Sequence, residues 1–115
     1  MQHERLYLVD ILDACDKIGR FIAGHDASKF MADEQAQSAV AFQLSIIGEA
    51  TRRLSDDLKQ RYPNVAWQDA RSMRNLIAHQ YFAIDWLTVW DTAVRDIPAL
   101  RQQLNAIMAA EFPAS

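Results

Sequence analysis

Apolar side chains recur every three to four residues along most of this chain, and that spacing constrains its fold more than any other feature. Because an α-helix turns once in about 3.6 residues, side chains at this spacing share one face of a helix and can pack against a core. Only three Gly and three Pro occur in the 115 residues. The sequence therefore predicts a packed all-α domain. The longest apolar series is Val40, Leu44, Ile47, Thr51, Leu54 and Leu58.

We predict four main helices, bounded by Gly, Pro and capping residues. Gly24 is expected to end the first helix, and Ser28 to cap the turn before the second. Pro63 breaks the chain after the second helix, and Asp85 is the expected N-cap of the last. Short connections between long amphipathic segments are typical of an up-and-down bundle, here of four to five helices in a single domain spanning residues 1–115. The predicted helices cover about residues 2–23, 31–61, 67–81 and 86–110.

Two residues lie where a helix does not favour them. An interior Gly costs up to about 1 kcal/mol relative to Ala, so Gly48 is expected only if close packing requires it. Pro98 predicts a kink in the last helix, because it lacks a backbone donor and clashes with the preceding turn. The expected buried stripes are Leu6, Val9, Leu12 or Asp13, Cys15 and Ile18 in the first helix, and Trp86, Val89, Trp90, Ala93, Ile97, Leu100, Leu104 and Ile107 in the last.

Charge and cysteine content narrow the class of protein. Twelve basic and 15 acidic side chains give a net charge of −3. A free-standing nucleic-acid binder is usually basic, so any RNA contact here must be local and built from a few clustered arginines. The single cysteine excludes an intrachain disulfide and favours a reducing compartment. Without a signal-peptide core or a membrane-length apolar run, we expect a cytoplasmic protein that does not enter a membrane.

Residues 74–81, Arg-Asn-Leu-Ile-Ala-His-Gln-Tyr, form the most informative segment for function. At about 100° per residue, an ideal helix places Ala78 in the middle of its polar half, where a second body can approach closely. We expect this helix to bury Met73, Leu76 and Ile77 and to turn Arg71, Arg74, Asn75, His79 and Tyr81 away from its core.

The side chains of this segment suit RNA cleavage without a metal or another cofactor. Arg74 keeps its proton, so it can hold the scissile phosphate and stabilise developing charge. His79 suits proton transfer near neutral pH, and a position near a helix C-terminus favours its protonated form. RNA supplies its own nucleophile, the 2′-hydroxyl. His3 and His25 show no metal-ligand spacing and are expected at the surface.

One ideal helix separates Arg74 and His79 by about 140°, so it cannot direct both at a single atom. Either the helix unwinds near His79, or two copies of the chain meet across a two-fold axis and pool their residues. We favour the second alternative.

Other interpretations of the same side chains remain open. A helix face with Arg, Asn and His is most often a solvated surface, and the three tryptophans are most simply core residues. Arg71, on the polar face beside Arg74, is a candidate RNA-binding residue. Arg52 and Arg53 can join them in a basic patch only if the fold brings these segments together.

The chain resembles the HepT-like branch of the HEPN (higher eukaryotes and prokaryotes nucleotide-binding) superfamily. Residues 74–81 fit the R-x-x-x-x-H-x-Y motif of that branch. Residues 46–50 (Ile-Ile-Gly-Glu-Ala), Pro63 followed by Trp67, and Val89 with Trp90 occur in the expected order around it. The resemblance therefore covers nearly the whole chain.

The resemblance implies a homodimeric bundle with the two motifs in a cleft across the interface. It implies a metal-independent endoribonuclease in which Arg74 and His79 are catalytic and Asn75 helps to orient them. It gives Glu49 a helix-terminus or interface contact more readily than a direct role.

The resemblance also implies a type VII-like toxin–antitoxin pair. In such a pair a minimal nucleotidyltransferase antitoxin transfers AMP onto the motif tyrosine, here Tyr81. The added charge and bulk would block an RNA-binding cleft. A second function stays open: a non-catalytic subunit that docks a nucleotidyltransferase and presents it with nucleotide or substrate.

Overall fold

The computed structural model of the chain describes residues 2–78 and 83–113, with the side chains of Gln2, Ile77 and Ala78 left aside. Within these ranges all regular structure is helical, as the sequence predicts. A π-helical segment, Thr92–Asp96, joins the last two helices. The helices are α1 (Gln2–Phe21), α2 (Ala27–Met31), α3 (Glu34–Arg53), α4 (Asp56–Arg61), α5 (Trp67–Ser72), α6 (Asn75–Ala78), α7 (Trp86–Asp91) and α8 (Ile97–Glu111).

Helix α3 lies at the centre of the bundle. It packs along α1 on one side and against α5 and α6 on another, while α1 also contacts α8. The apolar series predicted between residues 40 and 58 is buried along its full length, with Val40, Leu44 and Ile47 completely inaccessible to solvent. The core therefore forms around α3, and the elements that carry the candidate site rest directly on it.

Helix α1 ends as predicted, but it buries a different stripe. Gly24 follows it with a φ of +78°, a backbone conformation that side chains with a Cβ rarely adopt. Leu6, predicted to be buried, is 53% exposed. Leu6 and Ile18 are 12 residues apart, or about 120° around a helix, so they cannot share one face. The buried residues are Leu8, Ile11, Ala14, Cys15 and Ile18.

The prediction of one helix over residues 31–61 was wrong, because two capping residues divide it. The Asp33 carboxylate accepts a hydrogen bond from the Ala36 backbone N–H and begins α3. Leu54 is extended, with ψ of 145°, and the Ser55 hydroxyl accepts from the Leu58 N–H and begins α4. The Ser55 hydroxyl also donates to the Glu4 carboxylate at 2.7 Å, which ties this break to α1.

Ser28 is not the cap of the turn before α3. The Asp26 carboxylate accepts the Lys29 N–H at 2.8 Å and begins the short helix α2. Ser28 lies inside α2 and is exposed. The Asp26 carboxylate is therefore the N-cap, two residues before the predicted Ser28 hydroxyl.

The last helical run begins as predicted, with the Asp85 carboxylate accepting from the Leu87 and Thr88 N–H groups. Its irregularity is the π-helical segment immediately before Pro98, where the Ile97 N–H donates to the Thr92 carbonyl five residues back. The wider π-helical turn interrupts the regular α-helical hydrogen bonding close to Pro98, which has no backbone N–H to donate. All eight residues of the predicted stripe are buried or packed against the core.

The predicted core tryptophans are half-buried residues packed against the core cluster. The Trp67 indole N–H donates to the Tyr62 carbonyl at 2.9 Å, which fixes the loop before α5. Phe30 contacts both Trp86 and Trp90, with ring centroids 6.3 and 5.3 Å from its own. Over the part of the chain that the structure covers, no helix is long and apolar enough to cross a membrane.

Candidate functional site

The segment predicted as a third continuous helix is interrupted at Met73 and Arg74. The Met73 N–H bonds to the Ala70 carbonyl, three residues back, so α5 closes with a tightened turn. Met73 is 4% exposed and anchors the turn in the core, whereas Arg74 and Asn75 are exposed. Arg71, Arg74 and Asn75 are thus exposed, as predicted, whereas the prediction of an unbroken helix was wrong.

Gly48 allows the turn to lie directly on α3. A Cβ at Gly48 would be 2.6 Å from the Arg74 Cβ, 2.6 Å from the Arg74 backbone N and 3.0 Å from the Arg71 carbonyl oxygen. Real Cβ atoms do not make contacts this short, and two of the three atoms belong to backbone. The close packing expected at Gly48 is thus present, and it holds the backbone of Arg74.

Three arginines surround Glu49, the next residue of α3. Arg52 donates to both carboxylate oxygens, at 2.6 Å from Nη2 to Oε1 and 3.4 Å from Nε to Oε2. Arg53 Nε donates to Oε1 at 3.2 Å. Arg74 Nη1 lies 3.9 Å from Oε2, an ion pair longer than a hydrogen bond. We refer to Glu49, Arg52, Arg53 and Arg74 as the arginine cluster.

The arginine cluster keeps Glu49 ionised. The hydrogen bond from Arg52 is the largest cause, followed among the favourable effects by that from Arg53, and together they lower the Glu49 pKa to about 2. The pKa of Arg53 is raised, first by the neighbouring Tyr7 side chain and then by Glu49. Glu49 and Arg53 are therefore both charged across the physiological pH range.

The predicted basic patch forms only in part. Arg52 and Arg53 do converge with Arg74, through Glu49. The exposed Arg71 side chain has no hydrogen bond or ion pair with another described residue. Its charge instead acts on Lys59, whose pKa is lowered mainly by burial and further by Arg71.

A groove of about 410 Å³ lies between α1 and α3 and has Arg74 in its lining. Its apolar floor includes Ile46 and Ala50, and its charged residues are two arginines and two carboxylates. The groove is thus electrically balanced, in agreement with the acidic composition of the chain. Its polar lining consists of Tyr7, Asp10, Ser45, Glu49, Arg53 and Arg74.

Neither the groove nor the central position of Glu49 was predicted from the sequence. One signal for Glu49 was present, because a Glu placed three and four residues before arginines on a helix pairs with them. Tyr7 and Asp10 had no such signal, since only the packing of α1 on α3 brings them near Arg74.

His79 and Tyr81, the predicted proton donor and modification site, lie outside the described residues. The side chain of Ile77, predicted to be buried, is likewise not described. Asn75, the predicted orienting residue, is exposed at the first position of α6, next to Arg74.

The described residues contain no group of three or more His, Cys, Asp or Glu side chains that could hold a metal ion. His3 stacks against Tyr7, with ring centroids 6.5 Å apart. His25 is not the free surface residue that was expected: its side chain is 12% exposed and its Nε2 lies 2.9 Å from the Asp33 carboxylate.

The arrangement presents an exposed cation in the lining of a groove. The Arg74 side chain is 50% exposed, its backbone is held by Gly48, and its guanidinium makes no hydrogen bond to a described residue. Its N–H groups can therefore donate hydrogen bonds to a phosphate in the planar, bidentate geometry that arginine favours.

Comparison with known proteins identifies the family to which the chain is similar. The family model described as "Ribonuclease HepT-like" matches residues 11–107. "Probable ribonuclease HepT" of Thermococcus cleftensis is 36% identical over 101 residues, covering 88% of this chain and 92% of that protein. "Putative RNase MJ0125" of Methanocaldococcus jannaschii is 34% identical over 104 residues, covering 90% of each chain. No solved structure matches.

Proposed function

The chain belongs to the HepT-like ribonuclease family, and we propose that it is an endoribonuclease that cleaves RNA without a metal ion. The observation that carries the proposal is the Arg74 side chain, which is 50% exposed, makes no hydrogen bond to a described residue and stands on a backbone packed against Gly48 of α3. The names of the two relatives agree with a ribonuclease activity in general.

The reaction that we propose is an internal transesterification. The 2′-hydroxyl of RNA releases its proton to solvent, and its oxygen forms a bond to the adjacent phosphorus. The bond from phosphorus to the 5′-oxygen breaks. Arg74 binds the phosphate and stabilises the charge that develops on it. His79 donates the proton that the leaving 5′-oxygen takes up, and Asn75 helps to orient the two. The products are a 2′,3′-cyclic phosphate and a 5′-hydroxyl.

We further propose that the working form is a homodimer, which the resemblance of residues 74–81 to the family motif implies. Each copy would contribute its motif to a cleft at the two-fold axis. The balanced charge of the groove supports a small composite site in which arginines act locally, Arg71 among them as an RNA-binding residue.

The proposed biological role is that of a toxin neutralised by a minimal nucleotidyltransferase. AMP transferred onto Tyr81 adds a negative phosphodiester within two residues of His79. Repulsion of the RNA phosphates and steric blockage would then stop cleavage. We expect Tyr81→Phe to stay toxic in cells that also express the nucleotidyltransferase, unless the partner acts by masking the site.

RNA cleavage in the presence of a chelator tests the activity. The wild-type chain should release fragments with cyclic phosphate ends in EDTA, and His79→Ala should release none while keeping its helical circular dichroism. Cleavage that requires an added divalent cation would contradict the mechanism. A wild-type chain that binds a nucleotidyltransferase but cuts no RNA would favour the non-catalytic binding subunit instead.

A further inference from the structure

Glu49 links the proposed phosphate-binding residue to two arginines that belong to a different helix. Arg52 binds both oxygens of the carboxylate and Arg53 binds one, so α3 itself holds the carboxylate in place. The Oε2 atom then lies 3.9 Å from Arg74 Nη1. This ion pair joins α3 to Arg74, in the turn between α5 and α6. The backbone of Arg74 also packs directly against Gly48 of α3.

The distances assign different tasks to the three arginines. Arg52 and Arg53, both in α3, form hydrogen bonds with Glu49. Arg74 is attracted by the charge of the Glu49 carboxylate but donates no hydrogen bond to it. An arginine directed by a charge, but not bonded, keeps its donors for a phosphate and loses less conformational freedom when the phosphate binds.

We propose that Glu49 is a positioning residue that holds the Arg74 guanidinium beside the groove before RNA binds. The inference rests on the proposed function, in which Arg74 binds the scissile phosphate. Without the carboxylate, three guanidinium groups would face one another with no anion between them. Arg74, whose side chain is 50% exposed, would then turn toward solvent.

Replacing Glu49 by Gln removes the charge while keeping the size of the side chain. We expect kcat of the Glu49→Gln variant to fall at least tenfold, with KM within twofold of wild type or lower. KM should change little, because the loss of an anion beside the phosphate site favours binding and offsets the extra conformational freedom that Arg74 then loses on binding. A kcat within twofold of wild type would overturn the inference.

Asp10→Asn is the matched control. Asp10 lines the same groove, and it has no hydrogen bond or ion pair with another described residue. The variant changes the charge of the groove by the same amount as Glu49→Gln but releases no arginine. We expect its kcat to stay within twofold of wild type. An equal fall in kcat for both variants would assign the effect to groove charge and overturn the positioning role.

A second measurement separates positioning from a loss of folded protein and needs no activity. In ¹⁵N-labelled protein, the order parameter of the Arg74 Nε–Hε group should fall in Glu49→Gln. The Trp67 indole N–H signal, which reports the intact loop before α5, should not move. An unchanged Arg74 order parameter would overturn the inference.

The two proposals fail in different ways. If wild type cuts RNA and Glu49→Gln cuts it equally well, the positioning role is wrong and the ribonuclease activity stands. If wild type cuts no RNA, the proposed function is wrong, and the Arg74 order parameter still decides whether Glu49 holds that side chain.

Discussion

Gly48 and Arg74 are packed so closely that no side chain can be placed between them. A Cβ on Gly48 would come within 2.6 Å of both the Cβ and the backbone N of Arg74. This contact joins the central helix to the turn that carries the proposed phosphate-binding residue. The position of Arg74 is therefore set by the backbone of α3 as well as by the charge of Glu49.

We expect Gly48→Ala to destabilise the protein and to lower RNA cleavage. Inserting a methyl group into a filled contact costs about 1 to 3 kcal/mol, and the gain in helix propensity of about 1 kcal/mol offsets only part of it. The atoms that the new methyl group would meet include backbone atoms, so the turn itself must move. Urea unfolding measures the loss of stability, and cleavage per folded molecule measures the displacement of Arg74.

Gly19→Ala is the control for Gly48→Ala. Gly19 is an exposed residue inside α1, and a Cβ there would meet no atom within 4 Å. The same substitution should raise stability by about 0.5 to 1 kcal/mol, since only the helix propensity changes. If Gly48→Ala were as stabilising as Gly19→Ala, the close packing would be absent in solution.

The sequence predicted burial in α3 and α8 better than it predicted where helices end. The series from Val40 to Leu58 keeps its phase across the break at Ser55, so the apolar spacing contained no sign of the break. The break depends on a side-chain cap and on a contact with Glu4, which lies 51 residues away. Periodicity reports which face is buried, whereas caps and distant contacts determine where a helix stops.

The site was predictable to the same limited extent. Exposure of Arg74 and Asn75 followed from helix geometry, because burial of Met73 fixes the opposite face. Convergence of Arg52, Arg53 and Arg74 did not follow, since it requires α5 to pack on α3 at Gly48. The spacing of Glu49 from Arg53 was readable as a helical ion pair, but its relation to Arg74 was not.

The break between α3 and α4 predicts a different result for each of two serines. Ser55→Ala should cost about 0.5 to 2 kcal/mol, because Leu58 loses its N-cap bond and Glu4 loses a hydrogen-bond donor. Ser28→Ala, within α2 and exposed, should change stability by less than about 0.5 kcal/mol. Equal costs in urea unfolding would show that Ser28, and not Asp26, caps its helix.

Cys15 predicts how stability changes at alkaline pH. Burial raises the pKa of its thiol from 9.0 to about 12 in the folded protein. Between these values the unfolded chain loses the proton and the folded chain keeps it. The contribution of the Cys15 thiol to the free energy of unfolding is therefore fully present below about pH 9. It falls as pH rises toward 12, by up to about 1.4 kcal/mol per pH unit.

Comparison with Cys15→Ala isolates this effect from other alkaline titrations. The variant should be less stable at pH 7, because Cys15 is 2% exposed in the core, but its stability should fall less steeply above pH 9. The native thiol should also resist a thiol reagent at pH 8 and react fully in urea. Parallel slopes for the two proteins would mean that Cys15 is accessible to water.

Arg71 is expected to contribute to RNA affinity through its charge alone. Its side chain is exposed and makes no polar contact with another described residue, so its removal should leave stability nearly unchanged. We expect Arg71→Ala to weaken RNA binding by about tenfold or less, similarly for all sequences. If Arg71 contacts one phosphate, the slope of log K against log salt should become shallower by about 0.7 for single-stranded RNA.

Binding is best measured in a His79→Ala background, where the RNA stays intact. Arg20→Ala provides the charge-matched control, because Arg20 lies in the last turn of α1, about 20 Å along that helix from Tyr7 in the groove. Its salt slope should equal that of the parent protein. A slope that falls equally in both variants would indicate a diffuse effect of net charge, and Arg71 would then make no local contact with RNA.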